Sequence, residues 1–246
     1  MDTAETLETL ISKPRFGTYV DLALGDRAKA VELYHWTGNV AGGLMTDFRV
    51  LEVLLRNRID TAMATHARQR AGVGEWFDDP QWIEPPGHWW DQAAIDSIDR
   101  AKHELRQQLS PGRSMQRGQL VAKLSFGFWK RPTHARYEES FWLPALDKAF
   151  VVPAPNAVAR REMLFDHLTV LNDLRNRVAH HEPICKPWRF IVRGGRDVMY
   201  PLDVQYRMLV NVTEWIDHAA GEWIKNNSTA LPLLVKPPVK LGAPGP

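Results

Sequence analysis

The chain has 246 residues, of which 44% are hydrophobic and 24% are charged, and these ordinary values predict a folded globular protein. The formal net charge is only +2, so any binding of nucleic acid has to depend on local clusters of Lys and Arg. The single cysteine, Cys185, excludes an internal disulfide and a cysteine-based zinc site, and it is typical of a reducing compartment.

The N-terminal segment and the hydropathy along the chain predict a cytoplasmic protein. The first residues, MDTAETLETL, are acidic and lack the basic and apolar stretches of a signal peptide. No window approaches the roughly eighteen uninterrupted apolar residues of a membrane span, so no membrane partner is expected.

Apolar residues recur at helical spacing through most of the chain. Asp26 is a suitable N-cap for the first predicted helix, and Gly42 and Gly43 are expected to weaken the helix near its C-terminus. The predicted helices are residues 26–44, 47–70, 91–109, 119–129, 136–150, 157–181 and 203–225.

The segments between these helices complete the predicted architecture. Residues 72–90, rich in Gly, Pro and Trp, are predicted to form an ordered loop. Gly194 and Gly195 suit a tight turn between two short apolar runs, which predicts a small β-hairpin near residues 189–200. We therefore expect an all-α fold of about seven helices in a single domain, residues 1–228, followed by a disordered Pro- and Lys-rich tail, residues 229–246.

The run LRNRVAHHEP, residues 174–183, brings two Arg, one Asn, two His and one Glu together around the end of one predicted helix. At about 100° per residue, Arg175 lies at one edge of the apolar stripe of its helix and His181 at the other, while His180 points nearly opposite. Glu182 and Pro183 are expected to end the helix, because proline disfavours the helical conformation of the preceding residue. The stripe itself consists of Leu164, Leu168, Leu171, Leu174 and Val178.

Two interpretations of this run compete. Histidines near a helix C-terminus gain roughly 0.3–1 kcal/mol from the helix dipole without any further role. That explanation does not cover Arg175, because a guanidinium at the margin of an apolar stripe needs an anionic partner, such as Glu52 or Glu182, or a functional role.

The functional interpretation is metal-independent cleavage of RNA. A base removes the 2′-hydroxyl proton, the oxygen attacks phosphorus, and an acid protonates the departing 5′-oxygen. Histidine serves in either role near neutral pH, and arginine stabilises the added negative charge. Asparagine orients the phosphate or the histidine, so no divalent cation and no other cofactor is expected.

The string RNRVAH, residues 175–180, resembles the signature of the HEPN superfamily, and LRNRVAHHEPI resembles its Abi-like branch, the AbiD/AbiF-type abortive infection proteins. Two further segments match the same branch. One is Leu33–Trp36 followed by Leu51–Asp60, and the other is Leu124–Trp129. The three matches follow the expected order.

The resemblance implies an all-α bundle that forms a homodimer with a composite active site. Carried over by position, it makes Arg175 the phosphate-binding residue, Asn176 its polar companion and His180 the catalytic histidine. His181 also has a permitted spacing, so the choice of histidine is open. We favour His180 because His181, beside the apolar stripe, is expected to have a supporting role.

Residues of the other two matching segments are candidates for a supporting site. Glu52, Arg56 and Asn57 share one polar face, where they either border the active cleft or form a surface pair of roughly 0.2–0.5 kcal/mol. Lys130 and Arg131, which follow the aromatic run 125–129, and Arg177 are the candidate RNA-binding cations. The aromatic run either stacks on RNA bases or packs at a helix break, and packing is favoured.

Other clusters carry weaker signals. The run 88–90, His-Trp-Trp, is interpreted as loop packing, and nothing around Cys185 indicates a catalytic thiol. His218 and Glu222, four residues apart, could hold a metal, but with no third ligand nearby in the sequence a solvated helix face is favoured.

The predicted function is an endoribonuclease in phage defence or a related toxin, with RNA as substrate and an antitoxin or other regulatory partner. The alternative is a non-catalytic RNA-binding or protein-interaction module that retains the HEPN bundle.

Overall fold

The computed structural model describes residues 2–72, 75–78, 90–110, 112–192 and 195–241. Helices dominate, and strands β1 (Arg189–Val192) and β2 (Arg196–Met199) pair antiparallel, which confirms the expected all-α fold with a small hairpin. The α-helices of the described residues are α1 (Thr3–Ile11), α2 (Lys13–Leu22), α3 (Arg27–Ala71), α4 (Gln92–Gln108), α5 (Arg117–Lys123), α6 (Phe126–Lys130), α7 (Ala157–Ala179), α8 (Leu202–Ile216), α9 (His218–Asn227) and α10 (Ala230–Leu234).

The helix boundaries differ from the expected ones at several places. The first two predicted helices are one 45-residue helix, α3, because its buried face runs through the glycines without a break. Conversely, the predicted helix 203–225 is divided at Asp217 into α8 and α9. Residues 136–150 form short 3-10 turns around a π-helical segment, Glu138–Leu146, which contains Pro144.

Other boundaries agree with the sequence. Helix α4 corresponds to the predicted helix 91–109, and Asp91 caps it by accepting a hydrogen bond from the N–H of Ala94 at 2.8 Å. The break expected near the aromatic run falls at Ser125, whose hydroxyl accepts from the N–H of Phe128 at the start of α6. None of the described helices is long and apolar enough to span a membrane.

The chain forms two compact units where a single domain was expected. Unit 1 comprises Met1–Leu51, Thr169–Glu214 and His218–Pro246, and unit 2 comprises Glu52–Leu168 and Trp215–Asp217. Helices α3 and α7 each contribute residues to both units.

In unit 1, one face of α3 holds the C-terminal segment. The indole N–H of Trp36 donates to the carbonyl of Leu233 at 3.0 Å, and the hydroxyl of Ser228 donates to the buried carboxylate of Asp47 at 2.6 Å. Between them, Gly43 lies against the fully buried Ala230. The expected disordered tail is therefore corrected for residues 229–241, which contain α10; residues 242–246 lie outside the described residues.

Unit 2 has an aromatic core. Trp76 and Trp90, from the two described ends of the predicted loop 72–90, are fully buried, while residues 79–89 lie outside the described residues. The indole N–H of Trp76 donates to Asp60 at 2.8 Å, and the guanidinium of Arg117 binds the same carboxylate at 2.9 Å. The rings packed around Trp76 and Trp90 are Phe77, Phe128, Trp129, Tyr137 and Phe141.

Two adjacent glycines of α3 should respond in opposite directions to alanine. A Cβ at Gly43 would lie 2.6 Å from the backbone nitrogen of Ala230, so Gly43→Ala should lower the free energy of unfolding by about 1–2 kcal/mol. A Cβ at Gly42 meets nothing within 4 Å, so Gly42→Ala should raise it by up to about 1 kcal/mol through helix propensity. Denaturant unfolding of both variants measures the difference. Equal effects at the two positions would contradict the described packing of α10.

The stability of the protein should fall at mildly acidic pH because of His167. Burial, with the ring against Trp215 at 4.8 Å, lowers the pKa of His167 below its ordinary value of 6.5, although its hydrogen bond to the Met163 carbonyl opposes this effect. The folded state therefore favours the neutral ring. Its contribution to stability is complete above pH 6.5 and is lost as the pH falls from 6.5 through the lowered pKa.

The matched variant is His167→Phe, which keeps an aromatic ring against Trp215 and removes the titrating group. The free energy of unfolding, measured at steps from about pH 7 to 5, should decline less in this variant than in the native chain. An unchanged decline would show that His167 is not the group responsible.

Candidate active site

Helix α7 presents its polar residues around a buried stripe, as the sequence predicts. The stripe leaves Asn176 and Arg175 half-buried and His180 exposed just beyond the last helical turn. The N–H of His180 donates to the carbonyl of Asn176 at 2.9 Å, so these two residues lie one turn apart on the same face. The buried residues of the stripe are Leu164, Leu168, Leu171, Leu174 and Val178.

The helix ends earlier than expected and by a different mechanism. The N–H of Glu182 donates to the carbonyl of Arg177, and that of His181 donates to the carbonyl of Val178, at 2.9 and 3.1 Å. This pair of bonds is a Schellman motif, which places one residue in the left-handed conformation, usually glycine. That residue is His181, with φ of 57°. Pro183 follows the end of the helix and does not cause it.

His181 consequently does not occupy the position that an extended helix would give it. The left-handed conformation turns the chain away from the helix axis, and the imidazole of His181 is exposed rather than set beside the apolar stripe. The expected place of His181 beside the apolar stripe is therefore wrong, and its supporting role stays a prediction.

Arg177 holds the chain that leaves the helix. Its guanidinium contacts the carboxylates of Glu182 at 2.8 Å and Asp173 at 3.5 Å, and it stacks on the ring of Trp188 at 4.4 Å. The indole N–H of Trp188 in turn donates to Asp173 at 2.5 Å. These contacts pair the positive charge of Arg177, a candidate RNA-binding cation, with groups of the protein itself.

A groove of about 910 Å³ opens beside the end of α7 in unit 1; we call it the unit 1 groove. His181 lines it, whereas the described lining does not include His180, Arg175 or Asn176. The lining residues are Leu10, Ile11, Arg15, Tyr19, Tyr34, His35, Thr37, Gly38, Asn39, Ala41, Gly42, Met45, Val178, Ala179, His181 and Glu182.

Two other helices contribute polar side chains to the groove that His181 lines. Arg15, on α2, donates a hydrogen bond from its guanidinium to the backbone carbonyl of His181. His35 and Asn39, one turn apart on α3, are both exposed along the groove. The segment Leu33–Trp36 resembles the Abi-like pattern, but that resemblance implies no role for His35. The sequence carries no signal for Arg15, because its contact with His181 spans 166 residues.

The other predicted supporting residues lie in unit 2. Glu52 and Arg56, one turn apart on α3, are half-buried, and Asn57 is exposed. That they border the active cleft stays a prediction.

The aromatic run 125–129 packs in the core of unit 2, which was the favoured interpretation. Phe126, Phe128 and Trp129 are at most 4% exposed, so in this structure their rings do not offer a stacking surface. Lys130 lies over the ring of Phe165 at 5.3 Å, and Arg131 donates to Asp91 at 3.1 Å. RNA binding by these two cations stays a prediction.

A potential metal-binding cluster forms around His218 and Glu222. Contrary to expectation, Glu214 of α8 provides a third group, and the ligand atoms lie within 4.8 Å of one another. The ammonium of Lys225, however, binds both carboxylates, and these hydrogen bonds raise its pKa. An internal cation therefore already neutralises this cluster.

Cys185 is buried, as a structural cysteine would be. Burial raises the pKa of its thiol, although a hydrogen bond with Thr37 opposes the shift. A protonated thiol is a poor nucleophile, in agreement with the sequence-based interpretation.

Compared with protein-family models, with curated proteins and with solved structures, the chain gives no significant match. The resemblance to the Abi-like HEPN group therefore rests on the three sequence segments described above.

Replacing Arg177 with methionine should lower the free energy of unfolding by about 1–2 kcal/mol. The variant loses a cation–π contact worth roughly 0.5–1 kcal/mol and partly exposed ion pairs worth roughly 0.2–1 kcal/mol. The matched control is Arg189→Met, whose pair with Asp197 is exposed and should contribute less than about 0.5 kcal/mol. Denaturant midpoints compare the two, and equal losses would contradict the role of Arg177 at the helix end.

Proposed function

We propose that this protein is a metal-independent endoribonuclease of the Abi-like HEPN group. The observation that carries the proposal is the combination Arg175, Asn176 and His180 at the end of α7, followed by a second exposed histidine, His181. Four polar groups suited to phosphodiester chemistry thus lie within seven residues. Both histidines are exposed at the end of the helix, which supports a role in contact with substrate.

Each residue type has a defined part in the reaction. A neutral imidazole accepts the proton of the 2′-hydroxyl, and the freed oxygen forms a bond to phosphorus. The bond from phosphorus to the 5′-oxygen breaks, and an imidazolium gives that oxygen its proton. Arg175 stabilises the extra charge on the phosphorus centre, and Asn176 orients the phosphate or His180. The products are a 2′,3′-cyclic phosphate and a 5′-hydroxyl.

The wider setting follows from the resemblance. We propose that two copies of the chain pair so that their motifs share a cleft, that the enzyme acts on RNA in the cytoplasm, and that it serves phage defence or a toxin activity under the control of an antitoxin or other regulator. The small net charge of +2 implies modest affinity for bulk RNA, with a salt dependence that reports the number of phosphates contacted.

The purified chain should cleave single-stranded RNA in the presence of a chelator and leave 2′,3′-cyclic phosphate ends. Arg175→Ala and His180→Ala should each reduce the rate by about 10²–10⁴-fold, because each removes a group used in the transition state. His181→Ala, assayed alongside, identifies which histidine of the motif is catalytic. Gel analysis of end-labelled RNA measures all four proteins.

Cleavage at the native rate by both Arg175→Ala and His180→Ala would refute the assigned motif. A strict requirement for a divalent cation would point to another mechanism. Tight RNA binding without cleavage under any condition would favour the non-catalytic HEPN module. In cells, the native chain should slow growth on expression and the His180→Ala variant should not.

A further inference from the structure

Unit 1 contains another cavity, which we call the Trp188 cavity. Its volume is about 410 Å³, near the lower end of the roughly 300–1,000 Å³ range of small-molecule sites. The walls come from α3, from the segments on either side of the hairpin and from the C-terminal segment that α3 binds. The described lining does not include Arg175, Asn176, His180 or His181. The cavity is therefore distinct from the candidate active site, and its size suits a molecule of one or two fused rings.

Aromatic side chains form much of the wall. Trp36 and Trp188 are at most 9% exposed, and Tyr200 is half-buried. The indole N–H of Trp36 donates to the carbonyl of Leu233 at 3.0 Å, and that of Trp188 donates to Asp173 at 2.5 Å. Both indole donors are thus used within the protein, so these two rings offer the cavity apolar surface suited to another aromatic ring.

One buried polar side chain of the lining has an unused acceptor. Gln205 is 1% exposed, and its amide nitrogen donates to the carbonyl of Tyr200 at 2.8 Å. This bond fixes the orientation of the amide, because the amide oxygen has no proton to give to a carbonyl. The buried Oε1 of Gln205 has no hydrogen-bond partner among the described residues. A desolvated acceptor is costly to leave unpaired, so this oxygen indicates that the cavity receives a donor.

The remaining polar groups of the lining favour an uncharged ligand. The two charged residues, Asp203 and Lys240, are exposed and opposite in sign, and the carboxylate of Asp203 pairs with Arg207 at 2.8 Å. The thiol of Cys185 is buried in the wall, and burial raises its pKa, so it stays neutral. The cavity consequently has no buried charge that would bind an ion.

From these observations we infer that the Trp188 cavity binds a small, uncharged heteroaromatic molecule of the size and polarity of indole, whose ring N–H donates to Oε1 of Gln205. Its flat apolar surface packs against the aromatic walls, and its single donor satisfies the single free acceptor. A purine fits this cavity less well, because its several ring nitrogens would lose water against apolar walls. The inference is independent of the proposed ribonuclease function.

Indole and benzothiophene form a matched pair of probes, because benzothiophene has the same shape with a sulfur in place of the N–H group. Calorimetric titration of the full chain measures the affinity of each probe for the native protein and for Gln205→Met, which keeps the side-chain volume and removes the acceptor. The preference for indole over benzothiophene should fall by about 10-fold in the variant. An unchanged preference, or no binding of indole by the native chain, would overturn the inference.

The ratio of the two affinities is the informative quantity, because Gln205→Met also removes the donor to the carbonyl of Tyr200. Any general loosening of the cavity weakens both probes and cancels in the ratio. Circular dichroism and denaturant unfolding establish that the variant is folded.

A second pair of variants tests the location without changing Gln205. Leu234, half-buried on α10, lines the cavity, so Leu234→Trp should fill it and weaken both probes by about 10-fold or more. The control is Val235→Trp at the next residue, which is 69% exposed and outside the described lining, and it should keep the native affinities. Native affinity in a folded Leu234→Trp variant would place the binding elsewhere and overturn the assignment.

Adenine tests the chemical class of the ligand. It is also a flat fused ring with N–H donors, but its unpaired ring acceptors should make it bind at least 10-fold more weakly than indole. Tighter binding of adenine than of indole would overturn the assigned class. All of these titrations are made without RNA, so failure of the ribonuclease proposal would leave their outcome unchanged.

Discussion

The guanidinium of Arg177 fixes the segment on which the candidate site depends. It joins the last turn of α7 to the chain that follows, since Asp173 precedes it and Glu182 and Trp188 come after it. The backbone of the same residue accepts the hydrogen bond from Glu182 that closes the Schellman motif. The backbone and the side chain of Arg177 thus both hold the chain in the turn that ends α7. The left-handed conformation of His181 is part of that turn.

Helix α3 also forms part of the groove. One of its faces binds the C-terminal segment and another lines the groove. Trp36, Gly43 and Asp47 bind the C-terminal segment. His35, Asn39 and Gly42 lie on an adjacent face and line the groove. The two neighbouring glycines consequently serve different purposes. Gly43 permits the close approach of α10, and Gly42 leaves space along the groove wall. A helix with a continuous buried face can support both because the glycines do not interrupt its packing.

Local periodicity predicted the α7 stripe and the hairpin, because both are set by neighbours along the chain. The end of α7 could not be predicted from Glu182 and Pro183, since the Schellman bonds stop it at Ala179. Long-range contacts were also beyond the sequence. Examples are Arg15 at the carbonyl of His181, Glu214 beside His218, and Ser228 on Asp47, which explains why a Pro- and Lys-rich segment is folded.

The two histidines of the motif are adjacent in sequence and have different surroundings in space. His180 continues the helical face of Asn176, whereas His181 has the left-handed conformation and lines the groove. A glycine at position 181 would satisfy the backbone better and would leave the groove with one imidazole fewer. The carboxylate of Glu182, the residue after His181, is paired with Arg177. The local charge in this region is thus set by the placement of a few groups, because a net charge of +2 provides no general excess of positive charge.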